Sequence, residues 1–123
     1  MSFWRGLFAF AAFVNLAVGG AMMAASGQVA ERLGVTGTGA PYAIVMVGMM
    51  IAVFGVGYAM VSRDPTRNRP IVWIGIVGKL GAVVIGAAQY AAGALPFSTF
   101  ALSMGDAVFA ALFALFLWKA PRT

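Results

Sequence analysis

The sequence predicts an all-α integral membrane protein, a single transmembrane domain over residues 1–123 built as an up-and-down bundle of four helices with both termini cytoplasmic. Three observations carry that reading. Of the 123 residues, 63% are hydrophobic and only 9% are charged, whereas a soluble domain carries about 25% charged residues. The apolar residues gather into four runs, each long enough for a hydrocarbon core of about 30 Å. The basic residues and the tryptophans mark the ends of those runs, and they do so on one side.

The first run, about residues 3–25, is entered through Trp4 and Arg5. Its apolar length exceeds the 7–15 residues of a signal-peptide core, so it is expected to be a membrane helix despite the cleavable-looking Ala24-Ala25-Ser26. Asn15 is its one strongly polar interior residue, and Gly19 follows one turn later on the same face. Ser26 to Ala40 is a connection in which Glu31 and Arg32 cancel, with a short interfacial turn of helix at Gln28–Leu33 and a glycine-rich second half. The second span, about 41–62, opens with Pro41, tolerated at a helix start because the first turn has unused N–H groups in any case. Gly48, Ala52, Gly55 and Ala59 form a small-residue stripe along it.

Arg63 to Pro70 (RDPTRNRP) is the charged cluster of the chain, with prolines that end one helix and begin the next. Its arginines fit a cytoplasmic turn, and Arg63, Arg67 and Arg69 are candidates for contact with anionic lipid head groups. The third span, about 71–93, contains Lys79. A lysine at the membrane centre costs roughly 2.5–3.5 kcal/mol on insertion scales, which favours a protein-facing position. Gly75, Lys79, Ala82, Gly86 and Gln89 share one helix face, where small residues admit a neighbouring helix. The fourth span, about 99–118, aligns Thr99, Ser103, Asp106 and Ala110 on one face before Lys119 and Arg122. Arg5, the three loop arginines, Lys119 and Arg122 thus share a side with Trp4, Trp73 and Trp118, while Arg32 opposite is offset by Glu31. By the positive-inside rule that side is the cytoplasm.

Composition also narrows the chemistry. The net charge of +5 is distributed as membrane-topology signals rather than as a basic face, and no RNA-binding aromatic motif is present, so nucleic acid is not an expected partner. Cysteine and histidine are absent, which removes disulfides, thiol chemistry, zinc sites and imidazole-ligated haem. Eight methionines are read as core filler rather than metal ligands, and no cofactor is expected. No nucleophile–base pair is recognisable, so an enzyme acting on lipid-soluble substrates is the weakest of the readings.

The polar interior is where function is sought. At 1.5 Å per residue, Asn15 lies roughly 16 Å beyond Trp4 and Asp106 roughly 18 Å before Trp118, with Lys79 only about 9 Å beyond Trp73. Asn15 and Asp106 are therefore expected within hydrogen-bonding or one-water distance, with Lys79 closing the polar zone on the cytoplasmic side. Two arrangements are open: a direct Lys79–Asp106 salt bridge, or a lysine that snorkels outward while Asn15 and Ser103 hold Asp106. Asn15, Lys79, Ser103, Asp106 and Gln89 are the candidate ligand, ion or proton site.

The pieces Arg67-Asn68-Arg69-Pro70, Trp73-Ile74-Gly75, Gly78-Lys79-Leu80 and Gly105-Asp106 resemble those of a group of small bacterial four-helix membrane proteins and, more loosely, of the DoxX-like family. The resemblance implies a bacterial inner-membrane protein with an accessory or small-ligand role. Small multidrug-resistance transporters carry a glutamate in the first helix, where this chain has Asn15. Membrane glutathione-transferase-like enzymes carry a glutamate–asparagine pair in their arginine-rich loop, which RDPTRNRP lacks, and the glycine- and asparagine-rich signature of fluoride channels is missing. The leading expectation is a non-enzymatic membrane protein, an accessory subunit or binder of a hydrophobic, lipid-type ligand. Membrane lipids and a larger complex or homo-oligomer are its partners. A small proton- or ion-coupled transporter using Asp106 and Lys79 is the alternative.

Overall fold

The computed structural model describes residues 1–120, so the expected role of Arg122 lies outside the described residues. It contains five helices: α1 (Ser2–Ala24), α2 (Ser26–Leu33), α3 (Ala40–Arg63), α4 (Arg69–Ala91) and α5 (Phe97–Lys119). All but α2 are long and apolar enough to cross a membrane. Helix is the form such segments must take, because in hydrocarbon every backbone N–H and C=O needs a partner within the segment. Their bounds fall within two residues of the sequence expectation, and the short α2 extends the expected turn backward to Ser26. Local chemistry sets the ends. Pro41 and Pro70 occupy the first turns of α3 and α4, Pro96 caps α5, and Gly34 ends α2 in the left-handed region at φ 74°.

The contacts establish the topology. Along α1 and α3 the neighbours run Arg5–Ser62, Asn15–Ile51 and Gly19–Gly48, one number rising as the other falls. The same holds for Arg69–Leu117, Lys79–Asp106 and Gly86–Ser103 along α4 and α5. Two antiparallel pairs result, α1/α3 and α4/α5. Trp4 packs edge-on to Phe116 at 5.4 Å, so the start of α1 and the end of α5 share one end of the bundle. The basic loop lies at that end too. Arg67 N–H donates to Asp64 Oδ1, and the Asn68 amide donates to the carbonyls of Met60 and Asp64, which folds the loop into a tight turn around buried Pro65.

The two pairs meet through an aromatic plug at this basic end. Phe8 stacks on Phe113 at 4.8 Å and meets Phe116 edge-on at 5.1 Å, while Tyr58 meets Phe113 at 5.1 Å. Val61, Val72 and Ile76 complete the buried cluster. At the far end α2 folds over α1 and α3 on a smaller cluster of Met22, Ala30, Ala40 and Ile44. No comparable cluster ties α4 and α5 to α1 and α3 there among the described residues. The bundle is therefore packed by its larger buried cluster at the basic end and more open beyond it.

Candidate functional site

The open region is a cavity of about 810 Å³ bounded by all four long helices. Its lining is mainly apolar, with Val14, Ile51, Phe54, Ala82 and Phe109 among the walls. Asn15, Tyr58, Lys79, Ser103 and Asp106 supply its polar groups. A space of this size holds a drug-sized molecule or the head and upper chain of a lipid. A smaller depression of about 270 Å³ beside Trp73 and Trp118 is walled by apolar side chains and tryptophans only.

The centre of the site is an ion pair. Lys79 Nζ donates to Asp106 Oδ1 at 2.9 Å, the direct bridge rather than the snorkelling arrangement. The lysine side chain is 9% exposed and the aspartate side chain 35%, so both line the cavity and the carboxylate is the more accessible member. Aromatic faces replace part of the lysine's lost hydration: its ammonium lies 4.9 Å from the Phe109 ring centre and 5.6 Å from that of Tyr58. Each such contact contributes about 0.5–2 kcal/mol. Gly75 makes this possible, because a Cβ there would stand 2.9 Å from the Tyr58 hydroxyl. The tyrosine lies over the bare backbone one turn before the lysine.

The other expected partners of Asp106 are engaged elsewhere. Asn15 is buried, as expected of a polar group in a packed face, but its amide donates to the Ile51 carbonyl at 3.1 Å. Gly55 opposite Asn15 lets α1 approach α3 closely enough for that bond, with a Cβ at Gly55 only 3.1 Å from Asn15 Cβ. Ser103 Oγ donates back to the Phe100 carbonyl at 2.6 Å, the habit of a helical serine whose own preceding turn offers an acceptor. Asn15 and Ser103 thus line the cavity with Asp106 without holding it. Gln89 is exposed and lies outside the cavity lining.

The loop arginines also divide. Arg63 and Arg67 are exposed. Arg69 turns inward, donating from Nη2 to the Leu117 carbonyl at 2.6 Å and lying 5.3 Å from the Phe116 ring centre. The last carbonyls of α5 have no helical partner, and a guanidinium at the start of α4 is placed to satisfy one of them. Arg69 is therefore a clasp between α4 and α5 rather than a free head-group ligand. Tyr58 is the site residue that the sequence reading passed over. Its signal was a phenol inside an apolar span.

Compared with protein-family models, curated proteins and solved structures, the chain matches none. The site's own chemistry carries the functional argument. Among the described residues no group of histidine, cysteine and acidic side chains is arranged to hold a metal ion. What the site offers is a largely apolar volume with one neutral ion pair and three further hydrogen-bonding side chains, those of Asn15, Tyr58 and Ser103.

Proposed function

We propose that this protein binds a hydrophobic, lipid-type ligand within its bundle, as a non-enzymatic component of a bacterial inner membrane. The observation that supports this most is the largely apolar 810 Å³ cavity that carries the Lys79–Asp106 ion pair on its wall. Several apolar lining residues at the cavity's mouth, Val18, Val47, Ile85 and Leu102, are exposed, so the volume is continuous with the surrounding hydrocarbon. The resemblance of the Gly78-Lys79-Leu80 and Gly105-Asp106 segments to DoxX-like proteins fits an accessory, ligand-carrying role. In the membrane the basic end lies in the cytoplasm, following the distribution of Arg5, Arg63, Arg67 and Lys119.

Native mass spectrometry of the protein extracted from its own membrane tests the proposal. A stoichiometric bound lipid that dissociates only on collisional activation is the expected result. A protein that flies bare, from an extraction that leaves lipids on other membrane proteins, contradicts it. A single cysteine introduced at Thr66 is expected to react with impermeant reagents only after the membrane is opened from the inside. Labelling from outside rejects the orientation.

A second reading is favoured by one feature, the unequal exposure of the ion pair. A carboxylate that faces the cavity while its lysine is buried is placed to exchange a proton or cation, as a transporter requires. Uptake by proteoliposomes driven by a pH gradient, and abolished by Asp106→Asn, would establish that reading over simple binding.

A further inference from the structure

Resting on the proposed lipid-binding role of the cavity, we infer that its ligand carries an uncharged head bearing hydroxyl groups, a monoacylglycerol-like lipid alcohol rather than an ionic lipid. The charge argument comes first. Lys79 and Asp106 neutralise each other at 2.9 Å, leaving the site without net charge. An anionic head would face the Asp106 carboxylate, the more exposed member of the pair, with the lysine already engaged. A cationic head would place a second positive charge on one carboxylate. The chain's other acids, Glu31 and Asp64, lie in α2 and in the basic loop, outside the cavity lining. In a low-dielectric space either arrangement is strongly disfavoured.

The hydrogen-bond inventory then sets the kind of neutral head. An ionised carboxylate only accepts, and Asp106 keeps Oδ2 and a second lone pair on Oδ1 beyond its bond to Lys79. Asn15 donates to Ile51 and Ser103 donates to Phe100, so each presents a side-chain oxygen as an acceptor. Donors remain on Lys79, on the second N–H of Asn15 and on the phenol of Tyr58, but these residues are only 7%, 8% and 1% exposed, whereas the Asp106 side chain is 35% exposed. The group that a ligand meets most readily is an acceptor. The complementary head therefore brings O–H groups of its own, with an oxygen for Tyr58. An ester or ketone, which only accepts, leaves Asp106 with Lys79 as its partner and Oδ2 unsatisfied when the head excludes water. The exposed apolar residues of the mouth, Val18, Ile85 and Leu102, let the chain leave into the bilayer.

Four probes that share one C18 chain and differ in the head separate these terms: 1-monooleoylglycerol, methyl oleate, oleyl phosphate and oleyltrimethylammonium. Each is titrated into the delipidated full chain in detergent, and bound mass is read by native mass spectrometry. Monooleoylglycerol is expected to bind about tenfold or more tightly than the other three, as one or two hydrogen bonds to a charged acceptor require. In the double variant K79M/D106L, whose retained fold is checked by circular dichroism, that preference is expected to vanish while chain binding remains. Equal binding of all four probes to the wild type keeps the cavity as a lipid site and overturns the head-group inference. So does tighter binding of the ester or of either ion, or an unchanged preference in the double variant. Binding of none overturns the lipid-binding role itself.

Discussion

The α1/α3 pair and the α4/α5 pair use the same antiparallel geometry and are joined by different chemistry. Along α1 and α3, glycines bring the two backbones together. A Cβ on Gly19 would overlap the Gly48 carbonyl oxygen, and one on Gly48 would stand 2.7 Å from Met22 Cβ. The side-chain hydrogen bonds of this pair, from Asn15 and Ser62, end on backbone carbonyls. Along α4 and α5 the links include Lys79–Asp106 and the Arg69 clasp on Leu117, both made by charged groups. Close backbone packing leaves the first pair with only uncharged groups, Asn15 and Tyr58, to offer a ligand. The second pair places the charged Lys79 and Asp106 on the cavity wall, with the carboxylate the more exposed of the two.

The largest expected effect comes from the second pair. Asp106→Leu leaves Lys79 buried without a counter-charge, an arrangement that costs about 3–5 kcal/mol when one partner of a buried pair is removed. A large drop in melting temperature in detergent checks this. Lys79→Met should cost less, because the remaining carboxylate reaches the cavity and can take up a proton or water there. An inverted order would mean that the lysine, not the aspartate, is the accessible member.

Gly48→Leu comes next. Its Cβ has only backbone and Met22 Cβ to displace, so overpacking of about 1–3 kcal/mol or more is expected. Gly86→Leu should be milder, since the nearest atom is the Ser103 hydroxyl at 3.1 Å, the end of a side chain that can rotate away. Equal losses at the two positions would remove the distinction between a backbone seam and a side-chain seam. The smallest effect is expected for K79M/D106L. Replacing a whole buried ion pair with apolar residues is often neutral or stabilising, so its melting temperature should lie near that of the wild type and well above that of Asp106→Leu.

Much of this division was legible before any coordinates. Hydropathy dictates the four spans, because lipid leaves helix as the only way to satisfy the backbone. The stripe Gly48, Ala52, Gly55 was recognisable as a packed face from its spacing alone. Counting residues from the tryptophans put Asn15 and Asp106 at one depth, but depth does not say which neighbour a side chain meets. Asn15 sits on the α3-facing side of α1 and takes the Ile51 carbonyl that Gly55 brings within reach. The same count set Lys79 shallower than Asp106 and left both the direct bridge and the snorkelling lysine open; the length of the lysine side chain is what lets the bridge form. Arg69 was read by its charge, whereas the end of α5 needed a donor. Tyr58 escaped notice because its role depends on Gly75 in another helix.

The central claim is that the space between the two pairs is occupied by a lipid, and filling that space tests it most directly. Ala82 lines the cavity from α4, so Ala82→Phe places a ring in the volume while leaving Lys79 and Asp106 in place. Native mass spectrometry of the two proteins, extracted from the same membrane in the same detergent, is the measurement. One tightly held lipid on the wild type and none on a folded Ala82→Phe variant is the expected result. Equal lipid occupancy in the two would contradict it, since the bound molecule would then sit on the outer surface of the bundle and not between its helix pairs.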